Sequence, residues 1–223
     1  MGQHLNRWYT SLMKLYLSSY GLGKDPGILT AIVGENKKTA VIANARDGGD
    51  TIRRAEGVQR EIVNLNNLGF KSEELDLRNY FDNADLKTKL SEYGLLWLLG
   101  GNSFTLRRAM KQSDFDNAAK ELIISDQFVY AGYSAGACVA TPNLHGIELV
   151  DDPNSVPDGY DSEIVWSGMN LVDFAIAPHY QSDHPESAAI EKVVGYFKEH
   201  DIPYRALHDG EVLLANNYEI KIV

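Results

Sequence analysis

Cysteine is nearly absent from this chain: Cys138 stands alone among 223 residues. That excludes an internal disulfide framework and any zinc site built on several thiolates, and it agrees with a reducing, cytoplasmic compartment. No apolar run reaches the length of a membrane span or a signal peptide. Asn6 stands where an N-terminal myristoylation signal needs Ser or Thr, so no membrane partner is expected. Positive charge is scarce as well. Lys plus Arg number 21 against 31 for Asp plus Glu, a formal net charge of −10, which repels a phosphate backbone and argues against nucleic acid as a partner. Neither G-x-x-x-x-G-K-[ST] nor G-x-G-x-x-G occurs, so no cradle for a nucleotide is read, and neither cofactor nor metal is expected.

What the sequence does have is alternation. Short apolar runs at Lys14–Ser18, Thr39–Ala43, Leu95–Leu99, Phe128–Tyr133 and Phe174–Ala177 read as strands. Between them fall helical patterns at Thr51–Leu68, Asp85–Tyr93, Ser103–Lys111, Phe115–Ser125 and Pro185–His200. This predicts an α/β fold, a mostly parallel sheet with helices on both faces, as one domain over residues 1–223 with 1–12 as an N-terminal extension. In the first helix Ile52, Ala55, Val58, Ile62, Leu65 and Leu68 share the apolar face, leaving Arg53, Arg54, Arg60 and Glu61 elsewhere. Gly69 and Gly94 fit left-handed caps. The acidic, proline-bearing stretch Asp151–Gly168 reads as a surface loop. After Pro203 the pattern returns to strands at Tyr204–Leu207, Glu211–Ala215 and Glu219–Val223, with turns at His208-Asp209-Gly210 and Asn216-Asn217.

The segment Gly132-Tyr133-Ser134-Ala135-Gly136 matches G-x-S-x-G, with a strand before it and helix-compatible residues after it. A serine on such a turn points its hydroxyl out of the sheet, and the flanking glycines let neighbouring segments approach. Ser134 is therefore the expected nucleophile. The N–H of Ala135, in the first helical turn, faces the place where an oxyanion forms. A second turn, Gly100-Gly101-Asn102, closes the strand Leu95–Leu99 and lies on the same carboxyl edge of a parallel sheet. Gly101 is the expected second oxyanion donor; Asn102 also reads as an ordinary N-cap. Cys138 reads as a small core residue.

A general base must share that edge. The strand Phe174–Ala177 runs into Pro178-His179-Tyr180, which makes His179 the first choice. His184, in a His184-Pro185-Glu186 run that resembles the His-x-Glu pair of class I glutamine amidotransferases, is the rival. Asp209 or Glu211 supplies the acid that orients the imidazole, although Asp-Gly is also turn chemistry. Asp151, Asp152 and Asp161 are weaker choices, being in an acidic loop. Two other classes stay open: an α/β-hydrolase-type esterase, with Asp151 or Asp173 as an acid between serine and histidine, and a non-catalytic binding protein on the same scaffold.

The segments Ala131–Ala137, Leu99-Gly100-Gly101-Asn102-Ser103-Phe104 and Ala177-Pro178-His179-Tyr180 together resemble the peptidase E family of serine dipeptidases, related to cyanophycinase. The likeness extends from about Lys14 to Val223. It implies a flavodoxin-like relative of the class I glutamine amidotransferase fold, with Ser134 as nucleophile, His179 as base, Gly101 and Ala135 as oxyanion donors and an acid near Asp209. It also implies a small peptide as substrate and no cofactor. In the family an arginine beyond the histidine holds the carboxylate of an N-terminal aspartate. Here Gln181–Val194 contains Lys192 and no arginine, so Lys192, with Gly100 and Asn102, is the expected substrate contact and the specificity diverges. A monomer or homodimer is expected.

Overall fold

A computed structural model describes residues 13–81, 85–216 and 219–223. The expected extension 1–12 and the turn residue Asn217 lie outside these. The strands of the main sheet are β1 (Leu15–Ser18), β2 (Lys38–Ile42), β3 (Lys71–Glu74), β4 (Leu95–Leu98), β5 (Val129–Tyr133), β8 (Val212–Asn216) and β9 (Glu219–Ile222). They run in the order β3-β2-β4-β5-β1-β8-β9. The five on the β3 side pair in parallel, and β8 joins β1 and β9 antiparallel. β6 (Ala175–Ala177) and β7 (Tyr204–Ala206) form a separate parallel pair. The helices are α1 (Gly27–Ile32), α2 (Thr51–Asn67), α3 (Leu86–Leu90), α4 (Ser103–Gln112), α5 (Phe115–Ile124), α6 (Ala135–Cys138) and α7 (Ser187–Glu199).

Strand period 2 divides the central strands between two cores. Leu96 and Leu98 of β4 pack on one face with Leu90, Leu106 and Phe115 from α3, α4 and α5. Leu95 and Trp97 turn to the other face, against Leu29 of α1 and Val58 and Leu65 of α2. Because both faces are covered, β4 reads as the continuous apolar run Leu95-Leu96-Trp97-Leu98, fully buried. Each such buried leucine contributes about 1.5–3 kcal/mol. A third cluster packs β6 and α7 through Ala177, Ile190, Val193 and Phe197 around Cys138. Asp50 caps α2 by accepting the N–H of Arg53 at 2.9 Å, worth about 1 kcal/mol.

Several expectations are corrected. Phe174–Ala177 is not a strand of the main sheet; its core, Ala175–Ala177, pairs with Tyr204–Ala206. The His208-Asp209-Gly210 turn is consequently no hairpin but the link from this small sheet to β8. β3, Lys-Ser-Glu-Glu, lacks an apolar pattern because it is an edge strand, where charge discourages further pairing. Ile52 is exposed, while Glu61, expected on the polar face, is buried: it accepts from Trp97 Nε1 at 3.1 Å and from the Tyr133 hydroxyl at 3.3 Å. Gly69 is left-handed, with φ 89°. Gly94 is constrained differently, since a β-carbon there would lie 1.9 Å from the Asn36 carbonyl oxygen. The stretch 151–168 is not a freely solvated loop. It wraps the buried Arg108, whose guanidinium donates to the carbonyls of Pro153 (2.6 Å), Asp161 (3.1 Å), Ser162 (3.3 Å) and Ser155 (3.4 Å).

Candidate active site

Ser134 joins β5 to α6 with φ 51° and ψ −115°, a backbone state that costs a non-glycine residue about 1–3 kcal/mol. The neighbours hold it there. Its N–H is shared between the carbonyls of Ser18 and Ser19 at 3.2 Å, and its own carbonyl accepts from Ala137 and Cys138 at 2.9 Å. β-Carbons on Gly132 and Gly136 would lie 2.8 and 2.4 Å from the Leu98 carbonyl oxygen. The two glycines of the motif thus let α6 begin directly over β4. Ala135 opens that helix, so no carbonyl of its own helix meets its N–H.

The second glycine turn lies against the serine. A β-carbon on Gly100 would be 3.0 Å from Ser134 Cβ, and Gly101, at φ 150°, leaves 2.4 Å between such a carbon and the Ala45 carbonyl oxygen. Asn102 is engaged structurally: its Oδ1 accepts from Thr105 N at 2.9 Å, capping α4, and its Nδ2 donates to the Asp152 carbonyl at 2.9 Å. Arg46, which sequence reasoning missed, donates from Nε to the Gly100 carbonyl at 3.0 Å and from Nη2 to the Tyr133 hydroxyl at 2.7 Å.

His179 follows β6, is buried, and has φ 59°. Its Nδ1 lies 2.7 Å from Asp209 Oδ1, and its main-chain N–H donates to Ser19 Oγ at 2.7 Å. Burial pushes the imidazole below its ordinary 6.5, against the upward pull of the Asp209 carboxylate. It is therefore neutral near pH 7, with the proton on Nδ1 facing Asp209 and an unprotonated Nε2 that lies 3.9 Å from Glu186 Oε2. The Tyr20 ring stands 5.9 Å from that of His179 and 6.1 Å from that of Tyr133, the residue before Ser134. Ser19 is the other residue not anticipated. A polar pair, Ser18-Ser19, at the carboxyl end of a central strand is the signal that marks it.

The remaining sequence choices fall elsewhere. Glu211 accepts the His208 N–H at 2.8 Å. Asp151 accepts that of Ser103 at 2.8 Å at the start of α4, and burial pushes its carboxyl up to about 6. Asp152 accepts the Asn154 N–H at 2.9 Å, and Asp161 is exposed. Asp173 precedes β6, at the end opposite His179. Lys192 is exposed on α7. Cys138 is buried, its thiol pushed up by burial. His184 stacks on His179 with centroids 3.7 Å apart and planes 7° apart.

Among the described residues His179, His184 and Glu186 bring ligand atoms within 4.8 Å of one another. The stacked rings, however, direct their lone pairs in parallel planes, so one ion cannot lie in both. A recess of about 890 Å³ lined by Lys37, Asn66, Phe70 and Lys71 sits at the amino-terminal ends of β2 and β3, away from Ser134. Among the described residues no helix is long and apolar enough to cross a membrane.

The model of peptidase family S51 matches residues 25–223. An uncharacterized peptidase of Listeria monocytogenes is 32% identical over 132 residues, covering 58% of this chain and 60% of the relative. Peptidase E of Streptomyces coelicolor is 28% identical over 144 residues, covering 62% and 56%. The match therefore spans about three-fifths of these curated relatives. A crystal structure of a candidate peptidase E protein from Listeria monocytogenes EGD-e superimposes with a TM-score of 0.75 at 23% identity, covering 95% of this chain and 98% of that one, which establishes the α/β fold. With a family model matched over nearly all of the described length, the chain belongs to peptidase family S51.

Proposed function

We propose that the chain is a cytoplasmic serine peptidase that hydrolyses short peptides through Ser134, His179 and Asp209. Ser134 Oγ gives its proton to His179 Nε2 as it bonds to the scissile carbonyl carbon, and the N–H groups of Gly101 and Ala135 receive the oxyanion. Collapse breaks the C–N bond, and the proton on Nε2 passes to the leaving amine. Water, activated by the same nitrogen, then releases the acid product and restores the serine. Asp209 holds the imidazole in the productive tautomer and stabilises the transient imidazolium. The observation that carries this reading is the 2.7 Å contact of His179 Nδ1 with Asp209 Oδ1, made by a histidine anchored on the same Ser19 that holds the Ser134 N–H. An acid downstream of the histidine favours this order over the esterase order.

The stretch Gln181–Val194 after His179 holds no arginine, and Lys192 is exposed on α7, so no bidentate fork selects a carboxylate and the substrate range extends beyond N-terminal aspartate. The test is hydrolysis of a dipeptide library with varied N-terminal residues by the wild type, Ser134→Ala and His179→Ala. Both variants lose cleavage while keeping the wild-type circular dichroism. Loss in His184→Ala, with His179→Ala active, refutes the assignment of the base.

A further inference from the structure

We infer that Arg46 is a positioning residue that aims the Gly101 N–H at the developing oxyanion. The inference rests on the reading of Gly101 as an oxyanion donor and adds what directs that donor. The Gly100 carbonyl and the Gly101 N–H are opposite ends of one planar trans peptide. Pinning the oxygen therefore fixes where the hydrogen points. Arg46 Nε pins it at 3.0 Å, and a cationic donor on the carbonyl also polarises the amide, making its N–H a stronger donor.

The same guanidinium holds the elbow. Nη2 donates to the Tyr133 hydroxyl at 2.7 Å, and that phenol, kept neutral by burial, donates to the buried Glu61, which is fixed in turn by Trp97. One side chain thus sets the distance between the glycine turn and the residue that precedes Ser134. A planar fork with separate donors suits two acceptors at once.

Gly57 makes the room. It lies inside α2, where alanine is the better helix former, yet a β-carbon there would stand 2.1 Å from Arg46 Nη1. The nearby atoms are the far ends of Arg46 and Arg60, so an added methyl displaces the guanidinium and leaves the backbone in place.

Inactivation by a fluorophosphonate probe, with kinact and KI resolved separately and Tm measured in parallel, tests this. Arg46→Met lowers kinact about tenfold or more, since losing one oxyanion donor outright costs 10²–10³, with KI within about twofold and the pH dependence unmoved. Arg46→Lys recovers part of the rate. Gly57→Ala lowers kinact similarly while Tm stays level or rises, a combination that a purely structural role does not give. Wild-type kinact in Arg46→Met and Gly57→Ala overturns the proposal, as does a loss that tracks Tm or KI across the variants. Ser134→Ala is the control: labelling of that variant refutes the catalytic reading itself, whereas its silence beside reactive Arg46 variants refutes this proposal alone.

Discussion

Ser19 and His179 are tied directly: the hydroxyl of the first accepts the main-chain N–H of the second at 2.7 Å. The same oxygen shares its own proton between Asp209 Oδ1 at 2.8 Å and the Leu207 carbonyl at 3.2 Å. This junction joins the small β6–β7 sheet to the end of β1, where Ser18, its last residue, and Ser19 just after it also hold the Ser134 N–H. Ser19→Ala leaves a buried N–H without its acceptor, which costs about 1–3 kcal/mol, and frees the histidine backbone to drift. Urea denaturation should show that loss, and steady-state kinetics should show kcat falling more than KM rises. Unchanged stability and kcat would show that the junction is dispensable.

The acid limb of kcat/KM should lie below the ordinary histidine value of 6.5, because burial lowers the His179 pKa and only the neutral ring accepts a proton. Asp209 pulls the other way. Asp209→Asn therefore moves the limb to still lower pH while cutting kcat by on the order of 10²–10⁴ through loss of the tautomer. Stability follows the same sign. The unfolded chain takes up the proton first, so the contribution of neutral His179 is present above 6.5 and is lost as pH falls from there toward the folded value. A Tm–pH curve whose fall below 6.5 is shallower in His179→Gln checks this; superimposable curves would contradict it.

Around Arg108 the acidic stretch is fastened by a buried guanidinium with four carbonyl acceptors. Arg108→Met strands those oxygens and should destabilise the chain by roughly 1–3 kcal/mol or more, while opening residues 151–162 to proteases at acidic positions. Limited digestion with an endoproteinase that cleaves at aspartate, compared before and after the substitution, reads this directly at Asp151, Asp152, Asp158 and Asp161. Equal resistance would mean that the loop holds itself.

Much of this was legible because local and global signals agree. The run Val-Tyr-Ala-Gly-Tyr-Ser-Ala-Gly needs no tertiary context to announce strand, turn and helix, and its strained Ser134 sits where that pattern puts it. β3 was illegible for the opposite reason: its charged residues answer to an exposed edge, and only pairing with β2 makes them a strand. Glu61 was misread because helical periodicity cannot show that the Trp97 indole and the Tyr133 hydroxyl wait beneath it. Ser19 and Arg46 carry no motif. Each is defined by what it reaches across the fold, on partners 160 and 54 positions away.

Intact-mass analysis after exposure to a fluorophosphonate, followed by peptide mapping, addresses the nucleophile most directly. A single adduct on the peptide carrying Ser134, formed in step with loss of dipeptide hydrolysis and missing from Ser134→Ala, is the predicted result. An unmodified wild type that still cleaves peptides, or an adduct on another residue, would contradict the account; an unmodified and inactive one would mark a binding protein.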